Sequence, residues 1–284
     1  MDTLSFTPRE FIKEICREAG ITYESLSQDY ISRLTKDGTT RHVLWSNWDA
    51  NGAAADRIAC DKSACYAVLN HCGIPAIPHT LLQHPLRRQG WTGEKGTWTQ
   101  LLEYFEQYNK KMVLKPNLGT NGQDIFFCQT VQEVEAAAHA IFDTNPNVAV
   151  SPFYDIKTEY RVFYIGGDCP LAYGKKPHKD NWRHNLSQGA TAFELEDGEK
   201  LARLKNLAKQ AAKAIAIDFA TVDVAALESG ELLIMEINSG VQARQLLEQK
   251  PHLRPVVKSI YAKAVEGMFK NLSNISLLSD FRAN

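Results

Sequence analysis

Apolar residues near the start of the chain recur at Phe11, Ile12 and Ile15, the spacing of a single helix face. Thr7-Pro8 is a start signal and Gly20 a stop, so the pattern predicts a helix over about 7–19. A polar stretch follows, with a short strand expected at 42–45 and a turn at Asn51-Gly52. Asp61 is placed to cap a helix running through His71, closed by Gly73 and the extended Ile74-Pro75. Residues 83–98, rich in glycine and charge, read as a surface loop or ragged hairpin, and Leu101, Leu102, Tyr104 and Phe105 mark another helix.

From residue 111 the period shortens. MVLKP reads as a strand, GTNGQ as a loop, DIFFC as a second strand, and VQEVEAAAHAIF as a helix. An extended VAVSPFY leads to alternating RVFYI, the Gly166-Gly167 turn and the partner strand PLAYGKK. A helix over about 200–214, a hairpin over 219–238 and an amphipathic helix over about 251–270 complete the chain. Antiparallel hairpins dominate over β-α-β alternation, which points to an α+β fold in lobes. The apolar residues of the last helix (Val256, Val257, Ile260, Tyr261 and Met268) suit core packing, with subunit pairing into a homodimer as the alternative.

The hairpin FATVDVAALESGELLIMEINSG carries the clearest chemistry. With Ser229-Gly230 as a two-residue turn, counting back places Asp223 opposite Glu236, with Asn238 on the same face as Glu236. Like charges directly opposite destabilise a sheet, and these lie among Val222, Val224, Ile234 and Ile237. A cation between them resolves the conflict. Asp, Glu and Asn offer only oxygen, which suits Mg²⁺, or Mn²⁺ in its place. The alternative is a turn one residue longer, a changed register and acids facing water.

In VLKPNLGTNGQDI, Lys115 closes a buried strand, and Gly119 and Gly122 bracket a polar loop whose backbone N–H groups can approach an anion. No G-K-[S/T] follows, so it is not a Walker loop, and an ordinary hairpin loop is the competing reading. Arg161 sits inside an apolar strand, which is costly unless it meets a carboxylate or phosphate. Lys175-Lys176 and Arg183 join it in a basic set; a solvated face could also explain the two lysines, His178, Lys179 and His184. Metal-binding acids, a glycine loop and fixed cations together fit phosphoryl chemistry.

The balance of 32 Lys and Arg against 33 Asp and Glu gives a net charge of −1, with no general attraction to nucleic acid or anionic membrane. No stretch approaches the length of a membrane span, and the N-terminus has no apolar signal-peptide core. The six cysteines are scattered without a C-x-x-C pair, which fits free thiols in a reducing cytoplasm.

The order of these motifs, from Asp61-Lys62 with GIPAIP through VLKPNLGTNG, VSPFYDIKTEYRVF and WRHNLSQG to VDV…MEIN, resembles the ATP-grasp superfamily. It is most similar to the amino-acid-like ligases related to D-alanine–D-alanine ligase and to the glutamate ligases that modify a ribosomal protein. The resemblance implies ATP clamped between two α+β lobes. Lys62 and Lys115 would reach its phosphates and the Gly119–Gly122 loop would cover them. Ser151, Phe153 and Tyr154 fall in the hinge that lines adenine, and Glu159 where a ribose hydroxyl is accepted. Arg161, Lys175 and Arg183 match cations near the γ-phosphate and acyl phosphate. Asp223, Glu236 and Asn238 match the ligands of two Mg²⁺ ions.

The sequence departs from the family pattern at Ser151-Pro152 in the hinge and at Ser239-Gly240-Val241 after the last ligand. The expected organisation is a shortened N-terminal region (1–60), an entry and connecting segment (61–110), a small lobe with the glycine loop (111–154) and a large lobe with the metal site (155–284). The implied activity is ATP-dependent joining of a carboxylate to an amine, each a small molecule or peptide, through an acyl phosphate. The alternatives are a phosphotransferase acting on a hydroxyl and a nucleotide-binding protein without turnover.

Overall fold

The structure, a computed structural model, describes residues 6–119, 122–177 and 185–270. The chain opens with helix α1 (Pro8–Ala19), stopped where Gly20 takes φ +64°. A meander comes next: β1 (Thr22–Leu26), β2 (Ile31–Lys36), β3 (Thr39–Leu44) and β4 (Asn47–Trp48), each antiparallel to its successor. The sequence pattern anticipated only a strand over 42–45, because β1 and β2 bury few side chains and read as polar. Trp45 lies in the turn after β3, at φ +58°.

Helix α2 (Ala53–Cys60) begins just past the 51–52 bend, and α3 (Lys62–His71) starts where the Asp61 carboxylate accepts the Ala64 N–H at 2.8 Å. That cap satisfies one of the helix's orphan donors. Strand β5 (Thr80–Gln83) and two helices, α4 (Gln89–Thr92) and α5 (Gly96–Gln107), are built from residues 80–107. The 83–98 segment is therefore no hairpin: the loop stretches 84–88 and 93–95 join the end of β5 to the two helices.

The small lobe then adds β6 (Met112–Pro116), β7 (Phe126–Cys128), α6 (Val131–Phe142) and β8 (Asn147–Pro152). Its sheet runs β5-β8-β6-β7, all antiparallel. Leu101 and Phe105 from α5, with Val134, Ala138 and Ile141 from α6, cover one face over Met112, Leu114, Val148 and Val150. Helix α6 starts from a capping box between Thr130 and Glu133.

The large lobe holds β9 (Ile156–Ile165), β10 (Asp168–Lys176), β11 (Thr191–Glu194), α7 (Glu199–Ala214), β12 (Phe219–Leu227) and β13 (Leu232–Asn238). These strands make a sheet in the order β11-β10-β9-β12-β13. One face is wholly apolar: Tyr160, Val162, Val222 and Val224 pack under Leu204, Ala208 and Ala211 of α7. Helices α8 (Arg244–Gln249) and α9 (Arg254–Lys270) return over the other face. Val257, Ile260, Tyr261 and Met268 of α9 are buried there with Phe163 and Phe219, α1 and the meander, so the helix packs into the core. Val256 alone of the five is exposed.

The N-terminal region is fixed to that core. Trp48 stacks on Tyr261 at 5.2 Å and meets Phe219 edge-on at 5.3 Å. Asn51 accepts the Phe219 N–H at 2.8 Å and returns its own amide N–H to the Phe219 carbonyl at 2.9 Å. Among the described residues no helix is long and apolar enough to cross a membrane.

Candidate active site

The face of the large sheet opposite α7 divides in two. Toward α9 it is apolar, through Phe163, Leu171 and Phe219. Further along the same strands it is charged. Tyr173, Arg161, Asp223 and Glu236 stand in one row across β10, β9, β12 and β13, and Lys175 and Glu159 form the next.

Asp223 meets Glu236 through two departures that cancel. The loop is one residue longer than a Ser229-Gly230 turn, since Ala226 pairs with Leu232 and the Leu227 N–H donates to the Glu231 carbonyl at 3.0 Å. Gly230 allows this loop by taking φ +83°. A β-bulge then places Met235 outside the pairing and restores the register at Asp223 and Glu236.

Asp223 is only 2% exposed. It accepts from Arg161 Nε at 2.7 Å and Nη2 at 2.5 Å, and from Lys175 Nζ at 3.3 Å, while Lys175 also donates to Glu159. Burial opposes the charge of Asp223, but Arg161 and Lys175 outweigh it and hold its carboxyl well below the usual range. Burial and Arg161 likewise work against the Lys175 ammonium, and Asp223 and Glu159 outweigh them, so its pKa lies above the ordinary lysine value. Glu159 is moved the other way: burial raises its carboxyl, with Lys175 opposing.

At the open edge Asn238 Nδ2 donates to Glu236 Oε1 at 3.1 Å, and both side chains are half-buried. Facing them is the start of α3. Lys62 Nζ donates to the Gly119 carbonyl at 2.9 Å, and the fully buried Asn117 accepts the Ser63 N–H through Oδ1 at 3.1 Å. Asn117 thus joins α3 to the glycine loop. A Cβ at Gly119 would lie 3.2 Å from Pro116; at Gly122, which has φ +68°, it would lie 3.0 Å from Asn185. Lys115, on β6, has its pKa lowered to about 8 by burial and by Lys62, against the pull of Glu236 and Glu159.

These groups border one cleft of about 550 Å³, which Lys62, Gly119, Arg161, Lys175, Glu236 and Asn238 line. A smaller space of about 60 Å³ shares Lys62, Gly119 and Glu236 with it and adds Lys115, Gly122 and Glu159. The combined size suits a small-molecule site. Ser151, Phe153 and Tyr154 stand apart at the exit of β8: the Phe153 N–H donates to the Lys111 carbonyl at 3.0 Å, and its ring lies 4.1 Å from that of Phe127. Tyr154 packs by Ile77, Ala225 and Leu233, where small and large lobes meet. Arg183, with His178, Lys179 and His184, lies outside the described residues.

Other lining residues carry no sequence signal. Trp45 and Ser46 come from the turn between β3 and β4, Asn47 from the start of β4, Arg57 from α2, Gln242 from the segment after β13 and Gln245 from α8. No periodic pattern or short motif marks them, and their common position arises only from packing of the meander on the large lobe. His79 is a further buried group near Lys115 and Lys62; burial holds its imidazole neutral, and Nε2 has no hydrogen-bond partner among the described residues.

The profile of the RimK-like ATP-grasp domain matches residues 59–251. The chain belongs to the RimK-like ATP-grasp family. The match runs from the end of α2, through the lysine, glycine-loop and acidic elements just described, to the segment after α8. Among relatives of this ATP-grasp chain, a probable alpha-L-glutamate ligase of Aeromonas salmonicida is 26% identical over 157 residues, which are 54% of this chain and 51% of that protein. A ribosomal protein bS6–L-glutamate ligase of Escherichia fergusonii is 27% identical over 130 residues, 45% of this chain and 42% of that one. The ATP-grasp chain thus spans about half the length of the curated relatives it matches. D-alanine–D-alanine ligase of Bacillus anthracis, solved in complex with ATP, shares the fold: the TM-score is 0.58 at 15% identity, over 78% of this chain and 68% of that one.

Among the described residues no three or more His, Cys, Asp and Glu side chains converge as a metal cluster. The ATP-grasp acidic edge offers the cleft the carboxylate of Glu236 and the amide oxygen of Asn238, hard-oxygen donors that fit Mg²⁺ sharing its remaining positions with phosphate and water, whereas the Asp223 carboxylate is buried and already taken by Arg161 and Lys175.

Proposed function

We propose that this chain is an ATP-dependent carboxylate–amine ligase that forms an amide bond through an acyl phosphate and releases ADP and phosphate. The observation that carries the reading is the row Arg161–Asp223–Glu236, whose Arg161 and Glu236 line one cleft with Lys62 while Asp223 is buried behind them. Fixed cations and oxygen ligands then surround the place where a γ-phosphoryl group changes hands.

Asp223, Glu236 and Asn238 would hold Mg²⁺ ions, which when bound neutralise the β- and γ-phosphate oxygens. Asp223 already serves Arg161 and Lys175, so its part is also to fix those cations where charge develops. Lys62 and Lys115 bind phosphate oxygens, and the backbone of the Gly119–Gly122 loop covers them. Ser151, Phe153 and Tyr154 line adenine at the hinge, and Glu159 accepts a ribose hydroxyl. Arg161, Lys175 and Arg183 neutralise the acyl phosphate while an amine attacks its carbonyl carbon. The substrates are a small-molecule or peptide carboxylate and an amine. The six unpaired cysteines suit a cytoplasmic setting.

The test measures ADP and free phosphate together across candidate carboxylates, with and without an amine. Equal release of both, dependent on the carboxylate, is expected. ADP formed with a stable phosphorylated product and no free phosphate would make the chain a phosphotransferase. ATP binding without any ADP would make it a binding protein.

A further inference from the structure

Behind the cleft, where the lobes join, one buried group has no part in the phosphate chemistry. His79 lies between α3 and β5 and is only 4% exposed, yet its Nε2 has no hydrogen-bond partner among the described residues. An orphaned polar atom at that depth is costly unless something arrives to pair with it. Burial, then Lys115 and Lys62, keep the ring uncharged. A neutral imidazole has one N–H and one bare nitrogen. The Ile77 backbone takes the N–H. That partner is the Ile77 carbonyl, because the Ile77 N–H already donates to the Ile234 carbonyl at 2.8 Å. The proton therefore sits on Nδ1, and Nε2 is an empty acceptor.

Its place borders the nucleotide site. Thr80 pairs with Val150 and Val113 with Ser151, so His79, one residue before β5, lies level with Ser151. Alternation puts it on the sheet face that carries Lys115. His79 lines a cavity of about 10 Å³ with Lys62, Tyr66, Met235 and Glu236, and Met235 is the residue that the bulge in β13 leaves outside the pairing. Lys62 and Glu236 also border the main cleft, so the two spaces adjoin. The cavity has the size of one water or one amino group, too small for a ring.

The hinge itself offers little to accept the hydrogens of a base. Ser151 is buried and paired into the sheet, and Pro152 and Phe153 have no polar side-chain atom. A nucleotide brings few donors: its phosphates only accept, and its ribose hydroxyls fall to Glu159 in the proposed site. What remains is the exocyclic amino group of the base. We infer that His79 Nε2 accepts a hydrogen bond from the 6-amino group of adenine and so sets a preference for adenine over 6-oxopurine nucleotides. The inference rests on the hinge as the adenine site, and not on ligation. Guanine and hypoxanthine present a carbonyl oxygen at that position, which would leave Nε2 facing another acceptor. His79 selects the base and touches no reacting atom.

The probes are ADP, inosine diphosphate and purine riboside diphosphate, whose 6-positions carry an amino group, an oxygen and a hydrogen. Each is titrated by calorimetry into the 284-residue chain with Mg²⁺. Wild type should bind ADP on the order of ten- to a hundredfold more tightly than inosine diphosphate, with the unsubstituted purine between. His79→Leu should weaken ADP by about tenfold and leave inosine diphosphate within about twofold, so that the preference collapses in a chain still folded enough to bind. His79→Gln, which returns an acceptor oxygen, should recover part of the preference. Equal binding of ADP and inosine diphosphate by wild type, an undiminished preference in His79→Leu, or parallel loss of all three diphosphates in both variants overturns the inference. Ligation by a chain that binds ADP and inosine diphosphate equally keeps the ligase and discards the inference. A His79-dependent preference in a chain that releases no ADP from ATP with any carboxylate does the reverse.

Discussion

On the face of the large sheet covered by α7, strands β9 and β12 present Tyr160, Val162, Ala220, Val222 and Val224, packed against Leu204 and Ala208. On the other face the neighbouring residues of the same strands are Glu159, Arg161, Thr221 and Asp223. Both sets are largely buried, so depth does not distinguish them. What differs is how each can be satisfied. The apolar face needs only volume, and many combinations of side chains fill it. The charged face needs each ion matched in sign and geometry, because the cost of burying ions cancels most of their attraction. A protein gains little stability from such a row, and its presence beside a cleft marks a site that must hold charge in fixed places.

The largest break in this contrast comes from Asp223→Ala. It leaves Arg161 and Lys175 without their shared buried partner and should cost about 3–5 kcal/mol in denaturant unfolding, with loss of ATP turnover. Its pH dependence has a definite sign. The carboxyl lies below its ordinary value in the folded chain, so its contribution is complete above about pH 4 and disappears as pH falls through the lower folded value. Wild type and variant should therefore converge in stability only in strong acid.

Leu204→Ala, on α7, should cost about 2–5 kcal/mol through a cavity, with turnover per folded molecule unchanged. If it instead changed turnover as much as Asp223→Ala, the two faces would not be separable, and unfolding curves read beside specific activity would reveal it.

The finest contrast concerns Lys115, with a pKa of about 8. Its protonated form attracts phosphate, so the ATP dissociation constant should rise through about pH 8, by up to about tenfold one unit above. Folding stability should rise as that affinity falls. Between about pH 8 and the usual lysine value of about 10.4, only the unfolded chain keeps that proton, so stability rises with pH. Lys115→Arg stays charged and should flatten the affinity profile. Titration of both quantities across this range checks the sign.

Much of this charged face was legible in the sequence because strands alternate. A period of two put Glu236 and Asn238 on a shared face, whereas Glu159 was reached only through the family resemblance. The pairing of Asp223 with Glu236 was reached by a simpler route than the chain takes, since a longer loop and a bulge at Met235 cancel. Neither leaves a mark on composition. The meander was mostly missed because strands such as TYESL bury too little to alternate. Arg57 and Trp45 could not be found without it, since they reach the cleft only once the meander has docked on Phe219 and Tyr261. Local pattern reveals what one hairpin holds; it does not reveal what a distant segment adds.

The most direct test of the ligase account is hydroxylamine trapping with ATP and Mg²⁺, using a carboxylate that supports ADP release. The account predicts a hydroxamate in amounts matching ADP from wild type, and a loss on the order of 10²–10³-fold in Glu236→Gln with the fold unchanged. ADP release without hydroxamate from any such carboxylate, or full activity in Glu236→Gln, would contradict it.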